Sequence, residues 1–246
     1  MGVHVMTAPH FRSWAVTHPG AKRKHNEDSY VDRPDLGVWA VADGAGGHQA
    51  GEVASGMIAE ALEAIPSGLS APELLAEVRL AIERTHAALR EEAARRGPDV
   101  VVASTVVVML ARGEHFACLW AGDSRAYLLR SGALRQITRD HSLVQELLEA
   151  GAIGPSEVMN HPRGNVITRA VGAELDDFEL DKVSDRLLPG DRFLLCSDGL
   201  CKTLTDDELA SLLGQINGVP PQALIDAALA ANVSDNVTAV TVEFTG

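Results

Sequence analysis

Aspartates follow apolar runs at four places in the sequence, each where a strand is expected to end. The four segments are Val41-Ala42-Asp43-Gly44, Ala121-Gly122-Asp123-Ser124, Cys196-Ser197-Asp198-Gly199 and Val233-Ser234-Asp235-Asn236. A strand whose body is fixed in a core holds the side chain at its end in a defined position, which is what a metal site requires of its ligands. Taken singly, Asp-Gly is also a common tight-turn dipeptide, so the pattern leaves plain turns and metal ligands both open.

The candidate ligands are hard oxygen donors, and this determines which metals they would bind. Gly44 and Gly199 permit close backbone approach, so that a main-chain carbonyl can join the carboxylates around an ion. The sequence has no Cys/His cluster at zinc-finger spacing and no His-Glu-x-x-His pattern. We therefore expect Mg²⁺ or Mn²⁺, which can acidify a water molecule, and the leading chemistry is hydrolysis of a phosphate ester.

An arginine near the amino-terminal end could complete such a site. Arg23 shortly precedes Asn26-Glu27-Asp28, and an arginine can bind phosphate oxygens through two N–H groups at once. The run Lys22-Arg23-Lys24 also fits an ordinary solvated basic loop. Beside a cluster of metal ligands, the phosphate-binding interpretation gains weight.

Apolar segments and capping patterns predict the elements that must position these residues. The predicted strands are 38–42, 105–110, 116–120, 125–129, 193–196 and 237–244, and the apolar run 100–111 is interpreted as buried strand. The predicted helices start near Gly51, at Ser70, at Ser142, at Thr205 and at Pro221, and the helix from Ser70 is expected to end at Gly97-Pro98.

The order of these elements indicates the fold class. Strands and helices are mixed without regular alternation, and the hairpin-like series from 105 to 129 favours an antiparallel α+β arrangement. A polar insert between 138 and 170 is interpreted as a surface flap. We expect a single domain over 12–246, preceded by a segment, 1–11, that is a candidate for disorder.

Composition argues against several classes of function and location. The chain has 34 acidic and 21 basic residues, and its formal charge of −13 opposes binding to nucleic acid or to an anionic membrane. The longest nearly apolar run is shorter than the ~20 residues of a membrane span, and no secretory signal pattern is present. Cys118, Cys196 and Cys201 cannot all pair internally and fit reduced, buried positions. We expect a cytoplasmic protein without membrane insertion and, in the absence of coiled-coil heptads, a monomer.

Five segments together resemble the metal-dependent protein phosphatase family called PP2C or PPM, particularly its compact bacterial members. They are Gly20-x-x-Arg23-x-x-Asn26-Glu27-Asp28, Ala42-Asp43-Gly44-Ala45-Gly46-Gly47-His48, Ala121-Gly122-Asp123-Ser124-Arg125-Ala126-Tyr127, Ser197-Asp198-Gly199-Leu200 and Ser234-Asp235-Asn236-Val237-Thr238. The match spans nearly the whole chain. It implies a PP2C-like α+β fold, a four-layer αββα sandwich with two central antiparallel β-sheets and the metals in a cleft at one end of the sheets.

The resemblance also implies how the metal ions are held. Asp43 would bridge a pair of Mn²⁺ or Mg²⁺ ions. The Gly44 carbonyl would help to bind the second ion, and Glu27 would reach that ion in part through water. Asp198 and Asp235 would hold the first ion.

Further roles follow from the same likeness. Asp123 resembles the residue that creates a third, weaker metal site together with Asp198. Arg23 would bind the substrate phosphate. Asp28 would order the surrounding water or the amino-terminal segment, and Asn236 would support the ligands without touching a metal.

One departure from the family leaves the general acid open. Many eukaryotic relatives carry a histidine directly after the Asp-Gly pair, where this chain has Ala45. His48 is the nearest candidate for protonating the leaving oxygen, and a structural, hydrogen-bonding histidine is an equally good interpretation. The segment 145–169 resembles the family's flap, whose sequence varies with substrate.

We therefore predict hydrolysis of phosphoserine and phosphothreonine in proteins by a metal-activated water, without a phosphoenzyme. The expected partners are phosphorylated proteins, including a serine/threonine kinase or its targets in bacterial signalling. A cysteine-dependent phosphatase is a poorer fit, because Lys202 stands where its phosphate loop would carry an arginine after Cys196. A phosphoprotein-binding scaffold without activity is the alternative from another class, and a nuclease is disfavoured by the negative charge.

Overall fold

The chain folds around two antiparallel sheets in a computed structural model that describes residues 11–46, 50–158, 161–173, 178–215 and 221–246. The first sheet has the order β2-β3-β5-β6-β9, and the second has the order β1-β11-β10-β7-β8, while the short strand β4 pairs with β3. The strands are β1 (Phe11–His18), β2 (Asp28–Arg33), β3 (Val38–Ala45), β4 (Ala103–Ser104), β5 (Val106–Arg112), β6 (His115–Ala121), β7 (Arg125–Arg130), β8 (Ala133–Gln136), β9 (Asp181–Arg186), β10 (Arg192–Cys196) and β11 (Val237–Phe244).

Seven helices are described, and all except the two of the flap region cover the outer face of a sheet. They are α1 (Ala50–Glu63), α2 (Ala71–Arg96), α3 (Leu143–Glu149), α4 (Pro155–Val158), α5 (Asp198–Cys201), α6 (Asp206–Leu213) and α7 (Pro221–Ala230). Two of the predicted helix starts have complete capping boxes, because Ser70 pairs with Glu73 before α2 and Thr205 pairs with Glu208 before α6. The long helix α2 ends before Gly97, as predicted.

Alternate side chains of β3 enter different cores, which explains why the strand is apolar throughout. Val38 and Ala40 pack with α1 and α2, whereas Trp39 and Val41 face the space between the sheets. A third core joins the other face of the second sheet to α5, α6 and α7. Both sheets are therefore buried on both faces, and the four-layer αββα sandwich implied by the resemblance is confirmed.

Some local predictions differ from the structure. The segment 100–111 is not one buried strand, because Val101 is 58% exposed and the strand is split into β4 and β5. The antiparallel arrangement predicted from the series 105–129 is confirmed, although the series divides between the sheets: β5 and β6 pair in the first sheet and β7 belongs to the second. Strands β1, β2, β8 and β9 were not predicted.

The predicted domain boundaries concern the amino-terminal segment 1–11 and the flap at 145–169. Most of the segment 1–11 lies outside the described residues, but Phe11 is the first residue of β1 and its ring lies 5.0 Å from that of Trp39. The predicted flap, 145–169, contains most of α3 and all of α4, and its base is pinned by a bridge between Ser142 and Ile167. Among the described residues, no helix combines the length and the apolar composition that a membrane crossing requires.

Candidate metal centre

Asp28 and Asp43 lie opposite each other at one end of the first sheet. They are paired in the β2–β3 register. The backbone of Asp43 is fixed from the other side, because its carbonyl accepts the Thr105 N–H at 2.9 Å and the Ser104 hydroxyl at 2.9 Å. Its own N–H donates to Thr105 Oγ1 at 3.2 Å. Three hydrogen bonds therefore hold the backbone that carries the Asp43 carboxylate in place.

Gly44, Gly51 and Glu27 form a close-packed cradle next to Asp43. The Gly44 N–H donates to the Glu27 carbonyl at 3.1 Å. A Cβ on Gly44 would lie 2.1 Å from the Gly51 carbonyl oxygen, and a Cβ on Gly51 would lie 2.9 Å from the carboxyl carbon of Glu27. Both positions therefore require glycine. Because neither residue has a Cβ, the backbone of Gly44 and the carboxylate of Glu27 can both pack closely against Gly51.

Asp198 and Asp235 approach from the second sheet. Asp198 follows β10 and opens the single turn α5, and Asp235 stands just before β11. Gly199 allows this approach, because a Cβ there would lie 2.0 Å from the Asn236 carbonyl oxygen. Gly20 has φ +78°, and a Cβ on it would lie 2.0 Å from the Asp235 carbonyl oxygen. The glycines of the sequence motifs thus serve as points of close backbone contact.

Asn236 ties the amino-terminal loop to the second sheet. Its Oδ1 accepts the Glu27 N–H at 2.8 Å, and its Nδ2 donates to the carbonyls of Pro19 at 3.0 Å and His25 at 2.9 Å. This arrangement fixes the loop that carries Glu27 and Arg23. All three of these hydrogen bonds are to backbone atoms of the loop, so the Asn236 side chain supports the loop and not the carboxylates directly.

Asp28 joins the two sheets at the back of the cluster. Its Oδ2 accepts hydrogen bonds from Ser197 at 2.8 Å and Thr238 at 2.6 Å, and its Oδ1 is buried without a hydrogen-bond partner. Burial raises the pKa of Asp28 to about 7, although the two hydroxyls act in the opposite direction.

Asp43 is surrounded by the other carboxylates of the cluster. Burial raises its pKa well above the usual range, and the charges of neighbouring carboxylates raise it further. In order of effect these neighbours are Asp28, Asp198, Asp123 and Asp235. A buried group of carboxylates is costly unless cations balance it.

Among the described residues, the basic side chains of Arg23 and Lys202 contact the cluster. Arg23 donates to Asp235 Oδ2 at 2.9 Å at the exposed rim, where 54% of the arginine side chain is accessible. Lys202 donates to Asp123 Oδ2 at 2.9 Å and to Asp198 Oδ2 at 2.6 Å. Within the described ranges, no three His, Cys, Asp or Glu side chains are arranged to hold an ion as they stand. The carboxylates that converge here are partly engaged by these internal cations instead.

The residues present nevertheless fit a hard divalent cation. All of the donors are oxygens, namely carboxylates and the Gly44 carbonyl, which suits Mg²⁺ or Mn²⁺. Asp123 is 2% exposed and its Oδ1 is buried without a hydrogen-bond partner, as is Asp28 Oδ1. Carboxylate oxygens left unpaired among like charges are what added cations would satisfy.

The structure brings together most of the residues that the sequence singled out. Arg23, Glu27, Asp28, Asp43, Gly44, Asp123, Asp198, Asp235 and Asn236 all belong to the cluster just described. His48 lies outside the described residues. The contact of Lys202 with the cluster was not predicted, although a lysine four residues after an aspartate on a helical turn is a signal for an ion pair. The long-range hydrogen bonds between Thr105 and Asp43 were not predicted either.

Comparison of the sequence with known proteins finds a match to a described family. The profile of protein phosphatase 2C matches residues 21–231. The chain is 38% identical over 224 residues to the serine/threonine protein phosphatase PstP of Mycobacterium tuberculosis, a match that covers 90% of this chain and 42% of PstP. The chain thus spans about two fifths of the length of that relative.

Solved structures of bacterial proteins are also similar to this chain over nearly its whole length. The structure of PppA, described as a key regulatory component of T6SS in Pseudomonas aeruginosa, is similar with a TM-score of 0.89 and 43% identity, over 96% of this chain and 99% of that chain. The catalytic domain of PstP in complex with 2 manganese ions is similar with a TM-score of 0.85 and 34% identity, again over 96% of this chain and 99% of that chain.

Proposed function

This chain belongs to the protein phosphatase 2C family, and we propose on that premise that it hydrolyses phosphoserine and phosphothreonine in proteins with the help of Mn²⁺ or Mg²⁺. One observation carries the proposal. Carboxylates from the ends of two different sheets converge on the half-buried Asp43, and glycines permit the close backbone contacts around it. Such a costly arrangement is expected at a functional site that recruits cations.

Each carboxylate has a proposed part in holding the ions. Asp43 would contribute to holding both ions, together with Glu27, the Gly44 carbonyl, Asp198 and Asp235. The rigid hydrogen bonding of the Asp43 backbone by Thr105 and Ser104 supports this role, because a shared ligand must keep its position. Asp123 is proposed as a further ligand only at high divalent-ion concentration, where an ion would compete with the Lys202 ammonium.

The metal ions would supply an acidified water for attack on phosphorus and would neutralise charge on the phosphate. The chain's own residues would bind and orient the substrate. We propose that Arg23 binds phosphate oxygens, because it stands at the exposed rim of the cluster beside Asp235. Asp28 and Asn236 would keep the amino-terminal loop in register, since both connect this loop to the second sheet.

Protonation of the leaving serine or threonine oxygen is assigned to His48 as a proposal. This histidine follows the Asp43-Gly44 pair in the sequence, and an imidazole can donate a proton near neutral pH. A His48→Gln variant with wild-type kcat and an unchanged pH–rate profile would remove it from the mechanism.

The proposed partners are phosphorylated proteins in a kinase pathway. The similarity to PppA supports a regulatory role of this kind, and the flap at 145–169 borders the cluster through the contact between Asn165 and Lys202. The three cysteines are free and buried, which supports a cytoplasmic location. A monomer remains the expected state.

A scaffold that binds phosphoproteins without turning them over is the alternative. Such a protein would have no need to retain a buried carboxylate cluster that is costly without cations, so the cluster favours the enzyme.

The decisive experiment measures phosphate release from a phosphothreonine peptide in Mn²⁺, in Mg²⁺ and in chelator. We expect release that depends on the divalent ion and stops in chelator. Folded protein that binds the phosphopeptide but releases no phosphate with either ion would favour the scaffold instead.

A further inference from the structure

Lys202 is the one described lysine whose ammonium bridges two of the clustered aspartates. We propose that it acts as a built-in cation: its ammonium takes the position between Asp123 and Asp198, so that this pair recruits no divalent ion of its own at concentrations that fill the rest of the centre. Lys202 is then a positioning residue that sets how many ions the centre holds. The inference rests on the proposed metal-dependent function.

The hydrogen bonding of the ammonium is complete. A lysine has three N–H donors, and Nζ of Lys202 lies 2.6 Å from Asp198 Oδ2, 2.9 Å from Asp123 Oδ2 and 3.3 Å from Asn165 Oδ1. All three acceptors are side-chain oxygens, the same kind of atom that a hard divalent ion would take. The ammonium therefore occupies a set of oxygen donors in place of a metal ion.

The position of Lys202 is built into the fold rather than reached by a free side chain. Lys202 directly follows the single turn α5 that Asp198 begins, and its N–H donates to the Asp198 carbonyl at 2.8 Å. The turn fixes the two residues on the same side, so that the lysine reaches back to its own first-turn carboxylate. From there it also reaches Asp123, which arrives from the loop between β6 and β7.

Burial and charge favour a retained ammonium at this point. The Asp123 side chain is 2% exposed and that of Lys202 is 32% exposed, so the pair is shielded from water mainly on the aspartate side. Both carboxylates accept hydrogen bonds from the ammonium, at 2.9 Å for Asp123 and 2.6 Å for Asp198, so their negative charges hold it in place. The ammonium in turn offsets both carboxylates.

The surroundings leave room for a different occupant once the ammonium is gone. A cavity of about 120 Å³ adjoins Asp123, Lys202 and Asn165 and extends below the flap. Asp123 Oδ1 is buried without a hydrogen-bond partner. Removing the ammonium would leave a carboxylate pair, a vacant donor set and space for water, which together form a new site for a divalent ion.

The test counts metal ions rather than turnover. Equilibrium dialysis of the full chain against a Mn²⁺ series, with metal analysis, is compared for wild type and for Lys202→Met, which keeps the length of the side chain and removes its charge. We expect Lys202→Met to bind one more Mn²⁺ ion per chain than wild type. Adding Asp123→Asn to that variant removes the extra ion, because the new site loses a carboxylate.

Controls separate this inference from the proposed function. Lys182→Met changes an exposed lysine on β9 and keeps the wild-type count; Lys202→Gln repeats the test if the methionine variant does not fold, as judged by circular dichroism. Equal, non-zero counts in wild type and both Lys202 variants would overturn the inference and leave the function standing. Absence of Mn²⁺ binding in all variants would overturn both.

Discussion

Thr105 Oγ1 accepts the backbone N–H of Asp43 at 3.2 Å, and the N–H of Thr105 donates to the Asp43 carbonyl at 2.9 Å. The two residues are far apart in the sequence, yet each holds the other at the edge of the first sheet. The same hydroxyl lies 2.7 Å from Ser124 Oγ, next to Asp123. One threonine thus connects the backbones that carry two of the proposed metal ligands.

Replacement of this hydroxyl tests its positioning role. In Thr105→Val the shape is retained and the bonds to Asp43 and Ser124 are lost, so we expect kcat to fall by roughly 10-fold, within the range seen when support of a ligand is removed. The free energy of unfolding should decrease by about 1–2 kcal/mol. Thr85→Val is the matched control, because Thr85 is also buried but its hydroxyl bonds only to Ala81 in its own helix. Equal kcat values in both variants would contradict the positioning role.

Neutralising Asp43 should have opposite effects on activity and on metal-free stability. Asp43→Asn removes the proposed shared ligand, and we expect phosphopeptide hydrolysis to drop by more than about 100-fold. In chelator and mildly alkaline buffer, the same change relieves repulsion among buried carboxylates and should raise Tm by roughly 2–4 °C. Saturating Mn²⁺ should then stabilise wild type more than the variant. Thermal scans with and without Mn²⁺ check this, and a variant that is both active and less stable in chelator would refute the account.

Arg23 is expected to act mainly on substrate capture. Loss of a charge-assisted contact worth about 1.5–3 kcal/mol should raise KM for a phosphothreonine peptide by roughly 10–100-fold in Arg23→Ala, with a smaller change in kcat. Stability should change little, because the Arg23–Asp235 pair is exposed. Arg33→Ala removes a half-buried arginine far from the cluster, paired with Asp35 at 2.8 Å, and serves as the control for KM. An unchanged KM in the Arg23 variant would exclude phosphate binding.

His86 should make stability depend on pH away from the metal centre. Its Nδ1 accepts the Gly172 N–H at 3.0 Å, and burial, followed by the charge of Arg90, lowers its pKa below the usual 6.5. The unfolded chain therefore takes up the proton first, so stability is lost as the pH falls below about 6.5. We expect His86→Gln, whose side-chain carbonyl can accept the same bond, to flatten this loss in unfolding experiments. His115→Gln, at an exposed position of β6, should leave the slope unchanged.

The strands that could be predicted from sequence are those buried on both faces. Strand β10 is apolar along most of its length and was assigned nearly to its observed ends. Strands β8 and β9 lie at the edges of their sheets with alternating exposed positions, and Asp181–Arg186 contains more charged and polar residues than apolar ones. Their place depends on pairing with β7 and β6, which no local pattern reports.

The residues of the candidate site that belong to short contiguous sequence motifs could be predicted from the sequence. Asp43-Gly44 and Asp198-Gly199 mark strand ends where glycine is required by close contact, and the structure explains both through backbone atoms about 2 Å from a would-be Cβ. The partners of these motifs were not predictable in the same way. Thr105 meets Asp43 only through sheet pairing, and Lys202 meets Asp123 only because the distant strands β10 and β7 pair in the second sheet.

The division of the carboxylates between the sheets links metal capture to the assembly of the sandwich. Asp28 and Asp43 belong to one sheet, whereas Asp198 and Asp235 flank strands of the other. Neither sheet alone carries all of the proposed ligands, so we expect tight ion binding only after the two sheets have packed together. Bound ions would then act as a late clamp, slowing the separation of the sheets without hastening their first encounter.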